Sequence, residues 1–347
     1  MSTTAAPPSS KPIEWYRTPL EKADFRSLHE RSDLLGWCQT LGYLGVLVLT
    51  ASAAWYSSGH FAWYVTVLLV FLHGTGFAFQ INAVHELGHG TVFKTKALNA
   101  FFERVFAFLG WINFEFFDVS HARHHRYTLH APDDLEVVLP MKLIIRDFFV
   151  QGFINPRGFY QTVKNTVVMA VGDGFKGEWP ETLFPKGSPE RERPIRWARL
   201  LVLGHGLIAV VAIVFHWWML PVVTTLGTFY GGWLQFLCNN TQHIGLQDDV
   251  PDFRLCCRTF TLNPVVQFLY WHMNYHIEHH MYAAVPCYRL GRLHRLMKHD
   301  LPPCPHGIVA TWREIAAILA IQKTNPEYQH VALVPQRAEA ALTGGYR

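Results

Sequence analysis

Three short histidine words are the residues in this chain whose type and spacing could do chemistry: His85-Glu-Leu-Gly-His89, His121-Ala-Arg-His124-His125 and His276-Ile-Glu-His279-His280. On a helix, positions i and i+4 lie one above the other about 6 Å apart along the axis, and the i, i+3, i+4 pattern sets three rings on one face. Imidazole is the commonest protein metal ligand. One such word arises easily by chance among 20 histidines, but three of them, each beside an apolar segment, do not. Together they offer eight imidazoles, twice what one tetrahedral zinc takes up. Two ions of higher coordination, each keeping a position for water or oxygen, use about eight or nine nitrogens, and imidazole suits iron. His243, in Asn239-Asn-Thr-Gln-His243, is the ninth candidate, and Asn239, one helical turn earlier, is expected to hold a metal-bound water.

The elements that position these words are apolar. In 347 residues, 50% are hydrophobic and 16% charged, poorer in charge than an ordinary soluble domain, which excludes a disordered or nucleic-acid-binding tail protein. Uncharged stretches at about 35–56 and 61–84 are each long enough to cross a bilayer, joined by a turn at Ser57–His60, and a second hairpin is expected from 200–220 and 222–237. Lys and Arg are absent from both short turns and abundant in 1–34, 85–199 and beyond Arg254, so both termini and the histidine words are expected on the cytosolic side. The expected fold is an all-α integral membrane protein, four transmembrane helices in two hairpins with a cytosolic helical cap holding a di-metal site. Its organisation is a cytosolic segment 1–34 without a cleaved signal, one domain over 35–323 and a weakly ordered tail 324–347. Stretches 100–117, 143–153 and 308–323 read as interfacial or re-entrant helices, and 177–199 as a surface loop. The six cysteines lack CxxC spacing and read as reduced thiols, and the net charge of +4 selects no partner.

The three words, in this order and at these places relative to the spans, resemble the histidine boxes of the membrane fatty acid desaturase and hydroxylase superfamily. The resemblance covers roughly His85–His280, and Asn239 with His243 is similar to the extra histidine and water-holding asparagine of stearoyl-type desaturases. It implies two irons bound by His85, His89, His121, His124, His125, His243, His276, His279 and His280. It further implies dioxygen as co-substrate and removal of hydrogens from an unactivated fatty acyl or similar alkyl chain, with electrons from a separate ferredoxin or cytochrome-type donor. The third box opens with His276 where front-end desaturases carry Gln, and no HPGG-like haem word is present, so a fused electron donor is not expected. Hydroxylases share the boxes, which leaves hydroxylation as the alternative outcome.

A ligand imidazole normally gives its second N–H to a carboxylate or carbonyl. Glu86, Asp118, Asp133, Asp134 and Glu278 are placed for this, while Arg123 and Arg126 read as positive-inside charge, and Trp111, Phe114, Tyr230 and Trp233 are candidates to line an acyl tunnel. The rival from another class is a membrane zinc protease using His85-Glu86-x-x-His89, with Glu86 as base; it leaves both HxxHH words unexplained. A channel would place ionisable groups inside the spans, whereas the histidine words stand at their ends.

Overall fold

In the computed structural model, residues 12–141, 143 and 145–335 are described. Helix α1 (Lys22–His29) precedes α2 (Asp33–His60), whose first turn is capped by the Ser32 side chain accepting the Leu35 N–H at 3.3 Å. Twenty-eight residues of helix reach about 42 Å, beyond the ~30 Å of a hydrocarbon core. The expected turn at Ser57–His60 is therefore still helical, and Phe61 and Ala62 alone reverse the chain.

Helices α3 (Trp63–Phe77) and α4 (Gln80–Gly88) form one apolar rod broken at Ala78–Phe79. Tyr43 of α2 donates to the Gly76 carbonyl at this break, at 2.9 Å, so the bend is held by a partner rather than left open. The 100–117 stretch divides into α5 (Lys96–Leu109) and α6 (Phe114–Tyr127), because Trp111 takes a left-handed φ of 57° and the Asn113 side chain caps α6 through the Phe116 N–H.

After α7 (Ile145–Gly152) and α8 (Pro156–Ala170), residues 177–199 are not the expected surface loop. They contain α9 (Glu178–Leu183) and the first turns of α10 (Glu192–Phe215), where Ile195, Trp197 and Ala198 bury an inner face. Helix α10 stops at Phe215, short of the expected 220, because His216 turns left-handed at φ 56°.

The segment 222–237 is a second departure, being no continuous helix. It is built from α11 (Met219–Val223), a 3-10 turn at Gly227–Phe229 and α12 (Trp233–Asn239). Gly231 (φ 68°) brings backbone against backbone: a Cβ there would stand 2.5 Å from the Phe71 carbonyl of α3. The freed peptide groups pair with residues 153–155, through Asn155 N–H to Phe229 C=O at 2.8 Å and Gly231 N–H to Phe153 C=O at 2.9 Å. Irregular backbone in an apolar setting persists only when satisfied in this way. Gly227 and Gly231 thus serve close packing within the chain, against Phe77 and the backbone of α3.

Three helices, Asp33–His60, Trp63–Gly88 and Pro189–Phe215, are long and apolar enough to cross a membrane. Their outer faces carry a belt of exposed Leu, Val, Ile, Trp and Phe, including Leu49, Trp63, Leu203 and Ile213, as lipid-facing helices do. The Trp55 and Trp217 rings meet at 6.2 Å, which sets the end of α10 beside the far half of α2. From there the broken segment leads the chain to His243 at the histidine end.

That end is closed by α13 (Phe253–Cys256), α14 (Pro264–Leu269), α15 (His276–Met281), α16 (Leu290–Met297) and α17 (Gly307–Gln322). Residues 12–20 strap across it. Trp15 stacks on Phe253 at 4.1 Å, the Tyr16 N–H donates to Pro251 C=O, and Thr18 donates to Asp300. Residues 324–335 run back along the 245–248 loop, where the His330 N–H donates to Gly245 C=O at 2.8 Å; 336–347 lie outside the described residues. No strand occurs among the described residues, only isolated bridges.

Candidate metal centre

Each histidine word stays on one short helical piece, so its rings share a face. His85 lies on α4 and His89 caps it; His121, His124 and His125 lie on α6; His276, His279 and His280 lie on α15. The fold then gathers all nine imidazoles into two adjoining nests. In the first, one donor atom each of His85, His89, His121, His125 and His279 lies within 4.8 Å of the others. In the second the same holds for His243, His276, His280 and the Cys257 thiol. His124 faces the second nest, its ring 5.2 Å from His243 and 5.0 Å from His280. The nests touch where the His125 and His280 rings stack at 4.3 Å.

The ring nitrogens of several boxes converge on one another. Nε2 of His276 is 3.0 Å from Nε2 of His243 and 3.1 Å from Nε2 of His280, and His125 and His279 meet Nε2 to Nε2 at 3.1 Å. Two nitrogens bound at right angles on one ion at ~2.1 Å stand about 3.0 Å apart. Nε2 of His85, His89 and His121 is buried with no hydrogen-bond partner, a cost that metal coordination removes. The donor set therefore fits metal.

The outer nitrogens of three rings are held, while Nδ1 of His125, His276 and His279 has no hydrogen-bond partner. Nδ1 of His121 is 2.8 Å from Glu136, Nδ1 of His124 is 2.8 Å from Asp134, and His243 Nδ1–H donates to the Cys256 carbonyl at 2.8 Å. Glu86, 1% exposed, lies 3.2 Å from His85 Nδ1 and 3.6 Å from His279 Nδ1. It is wedged between two imidazoles, an unsuitable place for a protease base that must meet a substrate-side water. Asp134 also accepts the Leu129 and Glu136 backbone N–H groups, tying the loop after α6 to the ring it holds.

Burial, reinforced by neighbouring imidazoles, pushes His121, His125, His276, His279 and His280 well below the ordinary histidine range, and His89 and His243 to about 3. These rings are neutral at pH 7, the form that binds metal. His124 runs the other way. Burial opposes its charge, but the hydrogen bond and charge of Asp134, with Glu136 behind, outweigh it and raise the imidazole while Asp134 is lowered.

Several expected residues sit elsewhere. Glu278 accepts Thr259 Oγ1–H and pairs with His294 Nδ1, anchoring α15 to its neighbours rather than touching a box ring. Asp118 faces Glu103 beside Gly88; burial and the Asp118 carboxylate raise the Glu103 carboxyl above its ordinary range, and burial raises Asp118. Asp133 pairs with Arg123 at 2.9 Å. Asn239 ends α12, so the helical spacing that would align it with His243 does not continue past it. Trp111 stacks on His205 at 3.9 Å and lines a groove of about 770 Å³, whereas Phe114 packs on Trp197 and the Tyr230 hydroxyl donates to Val222 C=O. Glu136 and Cys257 join the site without having been singled out. Glu136 follows the Asp133-Asp134 pair closely enough for the acidic loop to have signalled it, whereas nothing in the sequence marks Cys257.

Three apolar helices of spanning length, with imidazole nests buried at the end where α4 stops, define a membrane protein built to hold metal. A family profile described as fatty acid desaturase matches residues 61–312, which takes in all three boxes and His243, and the chain belongs to that family. Family membership makes it a desaturase-like membrane oxidoreductase of fatty acyl chains. No curated protein matches the chain.

Proposed function

We propose that the protein is an oxygen-dependent di-iron desaturase of a fatty acyl or similar long alkyl chain, supplied with electrons by a separate ferredoxin or cytochrome-type donor. The convergence of nine imidazoles into two adjoining nests carries the reading. Iron bound by His85, His89, His121, His125 and His279, and by His124, His243, His276 and His280, would supply the oxidising power towards an unactivated C–H bond that no side chain has. In sum, two substrate hydrogens, two donor electrons and two solvent protons would reduce dioxygen to two waters.

The chain's own residues prepare the site for this. Glu136, Asp134 and the Cys256 carbonyl engage Nδ1 of His121, His124 and His243, which fixes each tautomer and leaves Nε2 free to bind. The strap of residues 12–20 keeps water off one side, with Trp15 on Phe253 and Phe253 5.3 Å from the His280 ring.

We assign four membrane crossings, the fourth being the broken 219–239 segment, with 35–323 as one domain and both termini and the nests in the cytosol. The distribution of Lys and Arg supports this sidedness. The test is product mass from iron-loaded enzyme supplied with reductant, oxygen and acyl substrates. Loss of two hydrogens is expected; gain of one oxygen instead would make the enzyme a hydroxylase.

A further inference from the structure

A cavity of about 310 Å³ lies where the α3–α4 break meets the broken crossing. Ile81 on its wall is one turn before His85 on the same face of α4, and Gln235 is one turn before Asn239 on α12, so the space lies about one helical turn from His85 on the side of the spans. Ala78, Gly110 and Gly232 make the room, since each presents a methyl group or nothing. A space for plain hydrocarbon would be walled with apolar side chains. This one sets Gln80, Gln151, Asn155, Thr228 and Gln235 beside Ile81, Ile112 and Phe236, a mixed wall in which none of the described lining residues is ionisable.

Gln80 is the telling member. It is 1% exposed, lies within an apolar helix, and neither Nε2 nor Oε1 of its carboxamide has a partner in the protein. A buried carboxamide without partners costs free energy that a ligand's own donor and acceptor would offset. Asn155 already commits its side-chain oxygen to the Gly158 N–H, which caps α8. The volume is at the lower end of the ~300–1,000 Å³ of ordinary ligand pockets, enough for a short length of substrate and no more.

We infer that the alkyl chain oxidised here bears a neutral hydrogen-bonding group, a hydroxyl or carbonyl, close to the carbon presented to the nests, and that Gln80 and Gln235 recognise it. The inference rests on the di-iron reading and sharpens its substrate class. Uncharged carboxamides suit a neutral group because a carboxylate or ammonium in this space would find no counter-charge. A site that hydrogen-bonds a substrate group discriminates strongly against the analogue lacking it, since its own polar groups are then left unpaired.

The experiment is equilibrium binding of decanoic acid and its hydroxy and keto positional isomers to the iron-loaded full chain in detergent, alongside Gln80→Leu and Gln235→Leu. At least one substituted isomer is expected to bind about tenfold or more tighter than decanoic acid. Each Leu variant should bring that ratio to within about threefold. Gln235 is only partly buried, so its variant keeps the test informative if Gln80→Leu does not fold. Equal affinity for decanoic acid and every isomer, no binding of any of them, or a ratio unchanged in a folded variant would overturn the inference. Because binding is read without turnover, these outcomes are separate from failure of the di-iron reading, which would appear as absence of iron or of oxidised product.

Discussion

An imidazole becomes a strong ligand when its other nitrogen is fixed, and at this scale Asp134 carries the most: it holds His124 Nδ1 at 2.8 Å and the loop after α6 together. Asp134→Ala is expected to lower metal affinity about 10- to 100-fold, read by competition with a chelating dye, while Asp133→Ala, which removes the Arg123 ion pair, changes it less. The depressed histidines also set a pH dependence. In the unfolded chain they take up protons below about pH 6.5, and in the folded chain they do not, so their contribution is intact above that value and lost as the pH falls. His124 and the raised carboxyls of Glu103, Asp118 and Glu136 act in the opposite sense, but the depressed histidines outnumber them. The thermal midpoint of the metal-free protein should therefore fall between pH 7 and pH 5, and a midpoint that rises would contradict the neutral nests. The box residues were legible because each word fits within one helical piece. Cys257 was not, since only the packing of the 257–259 segment under α15 brings it in, and Glu136 was signalled by nothing more than its place in the acidic loop after α6. Glu278 misled because adjacency in sequence says nothing about which way a short helix turns its carboxylate.

At the scale of elements, the first two long apolar helices were read to within a few residues of their ends, since length and lack of charge define them, whereas α10 begins eight residues before and ends five residues short of the expected 200–220. The broken crossing was not, because apolar content counts residues without seeing that Gly231 must lie on the backbone of α3. Gly231→Ala is expected to destabilise the protein by about 2–4 kcal/mol, combining a left-handed φ with overpacking against the Phe71 carbonyl. Gly45→Ala on α2, whose Cβ meets nothing within 4 Å, should leave the thermal midpoint in detergent unchanged or slightly raised. Equal effects of the two would show that the close approach is not needed. The 177–199 region hid its helix for a related reason: Pro and charge read as loop, although Pro194 stands in the first turn of α10, where proline is tolerated.

At the scale of the whole molecule, the apolar helices, the buried nests and the covering strap amount to one arrangement, histidine nests able to hold metal at one end of a bundle of helices of membrane-spanning length. If that end is cytosolic, a cysteine at Lys176 should resist an impermeant thiol reagent in intact cells and one at Gly59 should react; the reverse pattern would invert the topology. The central claim is the pair of metal nests, and metal content tests it most directly. Protein purified without chelator from iron-supplemented cells should hold about two irons per chain, lost in the His124→Ala/His279→Ala variant. One zinc per chain, retained in that variant and lost in His85→Ala, would contradict the account.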